Sequence, residues 1–123
     1  MKISDDILRV VREAHTIAVV GLSANPARPS FGVARYLQSQ GYRIIPVNPG
    51  VGEVLGERAY ASLDDIPADQ RPEIVDVFRR SEFVPGIAAA AARRGARLLW
   101  LQEGVSHPQA EAGAAAAGLL VVS

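Results

Sequence analysis

Hydrophobic residues in this chain form five short continuous runs, separated by polar loops or by segments with helical spacing. Within each run the apolar side chains follow one another without strict alternation, which is typical of strands buried on both faces of a parallel sheet. The runs lie at 16–21, 42–49, 73–78, 96–102 and 119–122. Pro46 lacks the amide hydrogen that a central strand needs, so we place it where the second strand leaves the sheet.

Apolar residues spaced three or four apart predict four helices. Ser4 is a candidate N-cap of the first helix and Ser106 of the last, where Pro108 suits the first turn. The glycine-rich segment 50–67 predicts a long loop with a short helix or turn near Leu63 to Ile66. The helices are expected at 4–14, 31–41, 84–95 and 106–118.

Strands that alternate with helices in this way predict an α/β fold. Right-handed crossovers between parallel strands give a Rossmann-like, doubly wound sheet of about five strands with helices on both faces. The length of 123 residues suits one such domain, expected to cover residues 1–123.

Composition narrows the range of functions. The formal net charge is zero, which argues against a protein built to coat nucleic acid. The absence of cysteine excludes thiolate catalysis and cysteine metal sites, and it fits a cytoplasmic protein. We find neither a signal peptide nor an apolar run long enough for a bilayer, and therefore expect no membrane association.

Ligands of doubly wound sheets bind where the strands end, so the loops after each strand are the places to look. Gly21 ends the first strand and allows close backbone approach, and the amides near the start of the next helix attract anions. Ser23, Asn25 and Arg28 add polar groups, and Arg28 could pair with a phosphate. The alternative is that Gly21 forms only a tight turn and that Arg28 is a solvated charge.

The second strand ends in Pro46, Val47, Asn48 and Pro49, with no carboxylate. NAD enzymes usually place an acidic residue there to hold the ribose hydroxyls, so its absence weakens NAD as the ligand. A rigid, apolar strand end suits the flat face of adenine, although a turn that merely stops the strand explains these residues equally well.

The third and fourth strands end in Phe78 and Arg79 and in Gln102, Glu103 and Gly104. Phe78 could pack on a base and Arg79 could meet a phosphate, or both could be ordinary core and surface residues. His15 and His107 have neither a nucleophile motif nor metal-ligand spacing. We therefore expect no catalytic residues and no metal site.

Four segments, taken in order, resemble the bacterial CoA-binding domain proteins, which are small stand-alone Rossmann-type domains. The same core resembles the CoA-binding domain of the succinyl-CoA synthetase alpha subunit. The segments are VVGLSANPARPSFGVARYLQSQGYRIIPVNP, GERAYASLDDIP, IVDVFRRSE and LLWLQEGV, at 19–49, 56–67, 74–82 and 98–105.

The resemblance implies that coenzyme A lies across the strand ends. It implies phosphate contacts from the first loop and the adenosine near the second strand end. It also implies that the third strand end flanks the nucleotide and that the fourth approaches the pantetheine arm. In that order the residues are Gly21, Leu22, Ser23, Ala24 and Arg28; Pro46, Val47, Asn48 and Pro49; Val77, Phe78 and Arg79; Gln102, Glu103 and Gly104.

Two features of the relatives are not carried over. Many continue after the last strand with a tail containing Asp-Arg-Cys, which does not occur here up to Ser123. The phosphorylated histidine of the synthetase belongs to another part of that enzyme, so no ligase activity is expected.

Three hypotheses therefore stand. The first is binding of coenzyme A or an acyl-CoA without catalysis, with an unknown protein partner. The second is an NAD(P)-dependent oxidoreductase, with NADP favoured over NAD. The third is a ligand-free interaction domain. The sequence favours Arg28 for the diphosphate of the ligand. It favours Arg79 for the 3′-phosphate, with Arg43 and Arg80 as alternatives.

Overall fold

The computed structural model of the protein describes residues 3–123. Helices and strands alternate along the chain as the hydrophobic runs predict. In chain order the elements are α1 Asp5–Glu13, β1 Thr16–Val20, α2 Pro29–Ser39, β2 Arg43–Val47, β3 Glu53–Val54, β4 Glu57–Arg58, β5 Ile74–Val77, α3 Val84–Arg93, β6 Leu98–Leu101, α4 Pro108–Ala116 and β7 Leu120–Val122.

Five parallel strands form one sheet in the order β2-β1-β5-β6-β7. The chain first adds β2 on one side of β1 and then crosses to the other side to add β5, β6 and β7. This reversal of direction leaves a crevice outside the carboxyl ends of β1 and β5, where ligands of such sheets bind. The prediction of a Rossmann-like α/β fold is confirmed.

Two apolar clusters cover the two faces of the sheet. On the α1/α2 face, helix residues such as Ile7 and Ala34 pack on strand residues that include Ile17 and Ile74. On the α3/α4 face, Val84 and neighbouring alanines pack on the alternate strand positions. Both faces are therefore buried, which explains why the strands read as continuous apolar runs.

Pro46 lies inside β2, opposite Val19, and the prediction that it marks the exit from the sheet is wrong. The position tolerates proline because β2 is an edge strand of the five-stranded sheet. Its outward carbonyl accepts a hydrogen bond from the Tyr60 amide at 3.0 Å. The outer side of β2 is thus joined to the loop that follows β4.

The predicted N-cap is correct for α1 and wrong for α4. Ser4 Oγ accepts from the Ile7 amide at 3.2 Å. In α4 the cap is His107, whose Nδ1 accepts from the Ala110 amide at 3.2 Å. Ser106 instead donates its amide to Ser81 Oγ at 3.0 Å. Pro108 is the first residue of α4, so the cap position falls on His107 and not on Ser106. The imidazole Nδ1 supplies the acceptor that a serine hydroxyl would supply.

Segment 50–67 contains the predicted short turn, a 3₁₀ helix at Leu63–Asp65, and a hairpin that was not predicted. Strands β3 and β4 are joined by Leu55 and Gly56, which both have positive φ angles of 55° and 78°. Two such residues form the tight turn that suits a hairpin. No helix within residues 3–123 is long and apolar enough to cross a membrane.

Candidate functional site

Gly21 lies where three strand ends meet. Its φ angle is +88°, and a Cβ added to it would lie 2.6 Å from the Phe78 carbonyl oxygen. Its amide donates to the Val47 carbonyl at 2.8 Å, and the Phe78 amide donates to the Val20 carbonyl at 2.8 Å. Only glycine permits this approach, which draws the loops after β1, β2 and β5 together.

The loop between β1 and α2 is shaped by its own side chains. The amide of Ser23 donates to Ser30 Oγ, that of Asn25 to Ser23 Oγ, and that of Ala27 to Asn25 Oδ1, each at 3.0 Å. Ser23 and Asn25, predicted to offer hydrogen bonds to a ligand, therefore hold the backbone of the loop. Ala24 and Arg28 of this loop are exposed, so a ligand would meet the loop through its backbone and these side chains.

Asn48 connects the first and second loops. Its Nδ2 donates to the Leu22 carbonyl at 3.1 Å, and its Oδ1 accepts from the Gly50 amide at 3.1 Å. Pro49 beside it is exposed. The structure therefore brings together two loops that the sequence could only place at the same edge of the sheet.

A cleft of about 310 Å³ opens at the carboxyl ends of β1 and β2 on the α3/α4 face. We call it the strand-end cleft. Its walls come from the strand ends, from the 3₁₀ turn at Leu63–Asp65 and from α3. The lining includes Val20, Val47, Pro49, Ser62, Leu63, Asp64, Arg79, Phe83, Ile87 and Arg93.

Arg79 reaches across this cleft beside the Gly21 turn. Its Cδ would lie 3.1 Å from a Cβ at Gly21, and its guanidinium carbon lies 4.1 Å from the centroid of the Phe83 ring. Stacking on an aromatic face holds a guanidinium while its N–H groups stay available. Arg93, also in the lining, is paired with Asp64 at 2.7 Å. Arg28 is exposed at the start of α2.

The side chains of several predicted site residues are too buried for a ligand to contact them. Leu22 and Val77 are fully buried, and the Pro46 side chain is among the buried ones on the α1/α2 face. Phe78 is half-buried in the same apolar cluster. These residues would contribute to a site through backbone position, whereas Val47, Pro49 and Arg79 line the cleft directly.

The sequence did not single out Phe83, Leu63 or Ile87 as site residues. Phe83 lies four residues after Arg79, at the start of α3. An aromatic residue so soon after two adjacent arginines could have marked it in the sequence as a stacking partner. Leu63 and Ile87 read as core residues, because nothing local tells which apolar positions border a cleft.

Gln102 does not line the strand-end cleft. It lies at the same edge of the sheet but on the α1/α2 face. Gln102 Nε2 donates to Asp76 Oδ1 at 2.5 Å. Burial raises the pKa of Asp76 from 3.8 to about 6, against the opposing effect of hydrogen bonds from Gln102 and the Val77 backbone. Glu103 and Gly104 are exposed in the following turn. The sequence analysis did not single out Asp76, although a carboxylate within an otherwise apolar strand marks a buried polar position.

Neither histidine lines the strand-end cleft. His107 caps α4, and His15 is exposed before β1. Over residues 3–123, no three His, Cys, Asp or Glu side chains cluster in a way that could hold a metal ion. In the strand-end cleft, Arg79 with available N–H groups beside an apolar and aromatic lining is suited to an anionic, partly aromatic ligand.

Comparison with known proteins gives a consistent picture. The sequence profile of the CoA binding domain family matches residues 15–123. The uncharacterized protein YneT of Bacillus subtilis (strain 168) is 43% identical over 105 residues, which are 85% of this chain and 76% of that protein. The ADP-forming acetate–CoA ligase II of Archaeoglobus fulgidus is 32% identical over 82 residues, which are 65% of this chain and 12% of the ligase.

Among solved structures, cell-free ID.343 from Thermus thermophilus superposes with a TM-score of 0.89 at 41% identity. The superposition covers 98% of this chain and 90% of that one. A hypothetical protein from Pyrococcus horikoshii OT3 gives a TM-score of 0.90 at 36% identity, over 96% of this chain and 82% of that one.

Proposed function

The chain belongs to the CoA binding domain family, and on that premise we propose that it binds coenzyme A across the carboxyl ends of β1, β2 and β5. The observation that carries the proposal is the convergence of three strand-end loops on Gly21, with Arg79 fixed beside them. Coenzyme A requires a diphosphate site, a flat adenine site and a second phosphate site. NAD enzymes use a carboxylate to bind two free ribose hydroxyls. Coenzyme A does not require one, because one hydroxyl of its adenosine ribose carries a phosphate.

The adenosine would occupy the strand-end cleft. Val47 and Pro49 offer apolar lining, and Phe83, with Arg79 stacked on one face of its ring, adds an aromatic edge to the same cleft. A cleft of about 310 Å³ lies at the lower end of the size range of small-molecule pockets. It suits one ring system and its sugar, with the remainder of the ligand lying along the sheet edge.

The diphosphate would lie at the Gly21 turn, against Arg79. The sequence favoured Arg28 there, because Arg28 belongs to the same loop. The proximity of Arg79 to Gly21 favours Arg79 instead. Arg28, exposed beside the first amides of α2, remains available for the other phosphate. The pantetheine arm would leave toward Gln102, Glu103 and Gly104, and we assign no catalytic residue.

Calorimetric titration of the full chain with CoA, dephospho-CoA, NAD and NADP tests the proposal. We expect CoA to bind more tightly than NAD, since β2 ends in Val47 and Asn48 without a carboxylate for the free ribose hydroxyls. Equal or tighter binding of NAD, or no binding of CoA, would overturn it.

Arginine variants assign the phosphates. Arg79→Ala and Arg28→Ala should each weaken CoA binding about ten- to hundredfold, the range for a hydrogen bond to a charged group. The arginine that contacts the 3′-phosphate should lose its effect with dephospho-CoA, and the one at the diphosphate should keep it. Arg12→Ala, an exposed arginine on α1, is the matched control. Wild-type affinity in both variants would mean that these arginines are solvated surface charges.

A further inference from the structure

A second cavity, a groove of about 370 Å³, lies on the α1/α2 face of the sheet. Helices α1 and α2 form its walls through Leu8, Val11, Val33 and Leu37, and strands β1, β5 and β6 form its floor. Trp100 of β6 is half-buried in that floor. We call this cavity the helix groove. Its lining is mainly aliphatic and aromatic, unlike the arginine-bearing strand-end cleft.

The groove exposes apolar surface that a folded chain usually covers. Four large hydrophobic side chains stand out as exposed in residues 3–123: Ile3, Leu8, Tyr36 and Phe83. Ile3 and Leu8 line the helix groove, at 37% and 38% exposure, and Phe83 lines the strand-end cleft. Only Tyr36 of the four lies apart from both cavities. Exposed apolar surface of this kind marks places where another molecule binds.

One end of the groove is polar and lies at the carboxyl edge of the sheet. Asp76 is 5% exposed, and Gln102 directly follows β6. Both line the groove and are joined by the hydrogen bond from Gln102 Nε2. That bond uses one amide hydrogen of Gln102 and leaves the second one and Oε1. A neutral amide at this point suits an uncharged carbonyl or amide group.

Tyr42 lines the other end of the groove. Its hydroxyl donates to the Val11 carbonyl at 2.6 Å, which ties α1 to the residue before β2. Ile17 and Ile74, paired across β1 and β5, lie at this amino-terminal half of the floor. From Ile74 to the level of Gln102 the floor spans about 13 Å, at ~3.3 Å per residue. The groove is thus a slot of limited length that begins at the sheet edge.

We propose that the helix groove receives the acyl chain of an acyl-CoA, so that the natural ligand is a medium-chain acyl thioester rather than free CoA. This rests on the proposed function, because the pantetheine arm would bring the thioester to Gln102. The slot is apolar along its length, is polar at the Gln102 end, and has the Tyr42 hydroxyl at its other end already bonded to Val11. Its volume is large enough for an acyl chain. A helix or strand of a partner protein would need a wider, open surface.

Titration of the full chain with CoA and with acetyl-, butyryl-, hexanoyl- and octanoyl-CoA tests the inference. Each methylene buried in the groove should tighten binding by up to about fourfold, from the free energy of burying one methylene group. The gain should continue through octanoyl-CoA, because its extended chain is shorter than the floor of about 13 Å. CoA that binds while octanoyl-CoA binds no more tightly would overturn the acyl groove and leave the proposed function intact. Failure of both ligands to bind would overturn both.

The single tryptophan of the chain gives a second readout. Trp100 lies in the groove floor, so octanoyl-CoA should shift its fluorescence to shorter wavelength, and CoA should not. Identical Trp100 emission with both ligands would contradict the inference. This readout uses the wild-type protein and so does not depend on whether a variant folds. A dimer measured by sedimentation, with Trp100 emission unchanged by octanoyl-CoA, would assign the groove to a second copy of the chain instead.

A pair of variants on one helix separates groove filling from general effects. Val33→Phe places a ring in the groove and should abolish the gain from longer acyl chains. Ser39→Phe places the same ring on the exposed side of α2 and should retain that gain. An undiminished chain-length dependence in folded Val33→Phe protein would overturn the proposal.

Discussion

At the scale of single residues, the approach between Gly21 and Phe78 decides the shape of the sheet edge. The glycine is needed for two reasons that can be separated. Its backbone has a positive φ angle, and there is no space for a Cβ beside the Phe78 carbonyl. Gly41 has a similar φ angle of +97°, but a Cβ added there would have no atom within 4 Å.

We therefore expect Gly21→Ala to destabilise the protein more than Gly41→Ala. Left-handed backbone costs an alanine about 1–2 kcal/mol in both variants. Steric overlap adds about 1–3 kcal/mol at Gly21 only. Urea denaturation of the two variants measures the difference. Equal losses of stability would mean that the Phe78 loop moves aside without cost.

Asp76 gives a second test at this scale, through pH. Its pKa is raised from 3.8 to about 6 by burial, so between those values the folded protein retains a proton that the unfolded chain releases. Stability from this group is fully present below about pH 4 and is lost as pH rises through about 6. The loss amounts to about 3 kcal/mol by pH 7, from the size of the pKa shift.

Asp76→Asn should remove this pH dependence, because the amide keeps an acceptor for Gln102 without a charge. The measurement is the free energy of unfolding of both proteins from pH 4 to 8. The difference between the two curves isolates Asp76, since the other carboxyl groups are common to both. Parallel curves across this range would contradict the raised pKa.

At the scale of elements, N-cap preferences explain why the start of α1 was predicted correctly and the cap of α4 was not. Ser4 follows the usual preference for small hydroxyl or amide side chains at an N-cap, and α1 begins as predicted. His107 is not among those preferred residues, so Ser106 looked like the better cap. Pro108 at the first helical position fixes residue 107 as the cap, and the imidazole Nδ1 supplies the acceptor for the Ala110 amide.

The cap of α4 is open to a direct test. His107→Ala should lower the free energy of unfolding by about 1 kcal/mol, the usual cost of losing an N-cap acceptor. His107→Asn offers a side-chain oxygen at the same place and should restore most of the loss. Thermal melts of both variants at one pH provide the measurement. An alanine variant as stable as the wild type would show that the Nδ1 bond contributes nothing.

The β3–β4 hairpin could not be predicted from the sequence, for a different reason. Its two turn residues are Leu55 and Gly56, and leucine rarely adopts a positive φ angle. The usual Asn-Gly signal is missing, and two-residue strands are too short to show alternation. By contrast, the five strands of the main sheet were all predicted, because burial on both faces makes their apolar runs unmistakable.

At the scale of the whole molecule, topology allowed the edge of the site to be predicted but not its walls. Parallel strands bring residues such as Gly21 and Arg79 to one edge wherever they stand in the chain. Which side chains remain free at that edge depends on tertiary contacts. Ser23 and Asn25 are used by their own loop, and Phe83 joins the cleft only because α3 starts there.

The proline inside β2 has a consequence for how copies of this protein meet one another. An exposed edge strand normally invites a strand from another molecule, which is a route to fibrous aggregation. Here the outward Pro46 carbonyl already accepts from Tyr60, and the Tyr60 carbonyl accepts from the Asn48 amide at 2.8 Å. The opposite edge, β7, is only three residues long. Addition of a further strand is thus blocked at the Pro46–Asn48 end of β2 and finds little length at β7, which disfavours fibrous growth from either edge of the sheet.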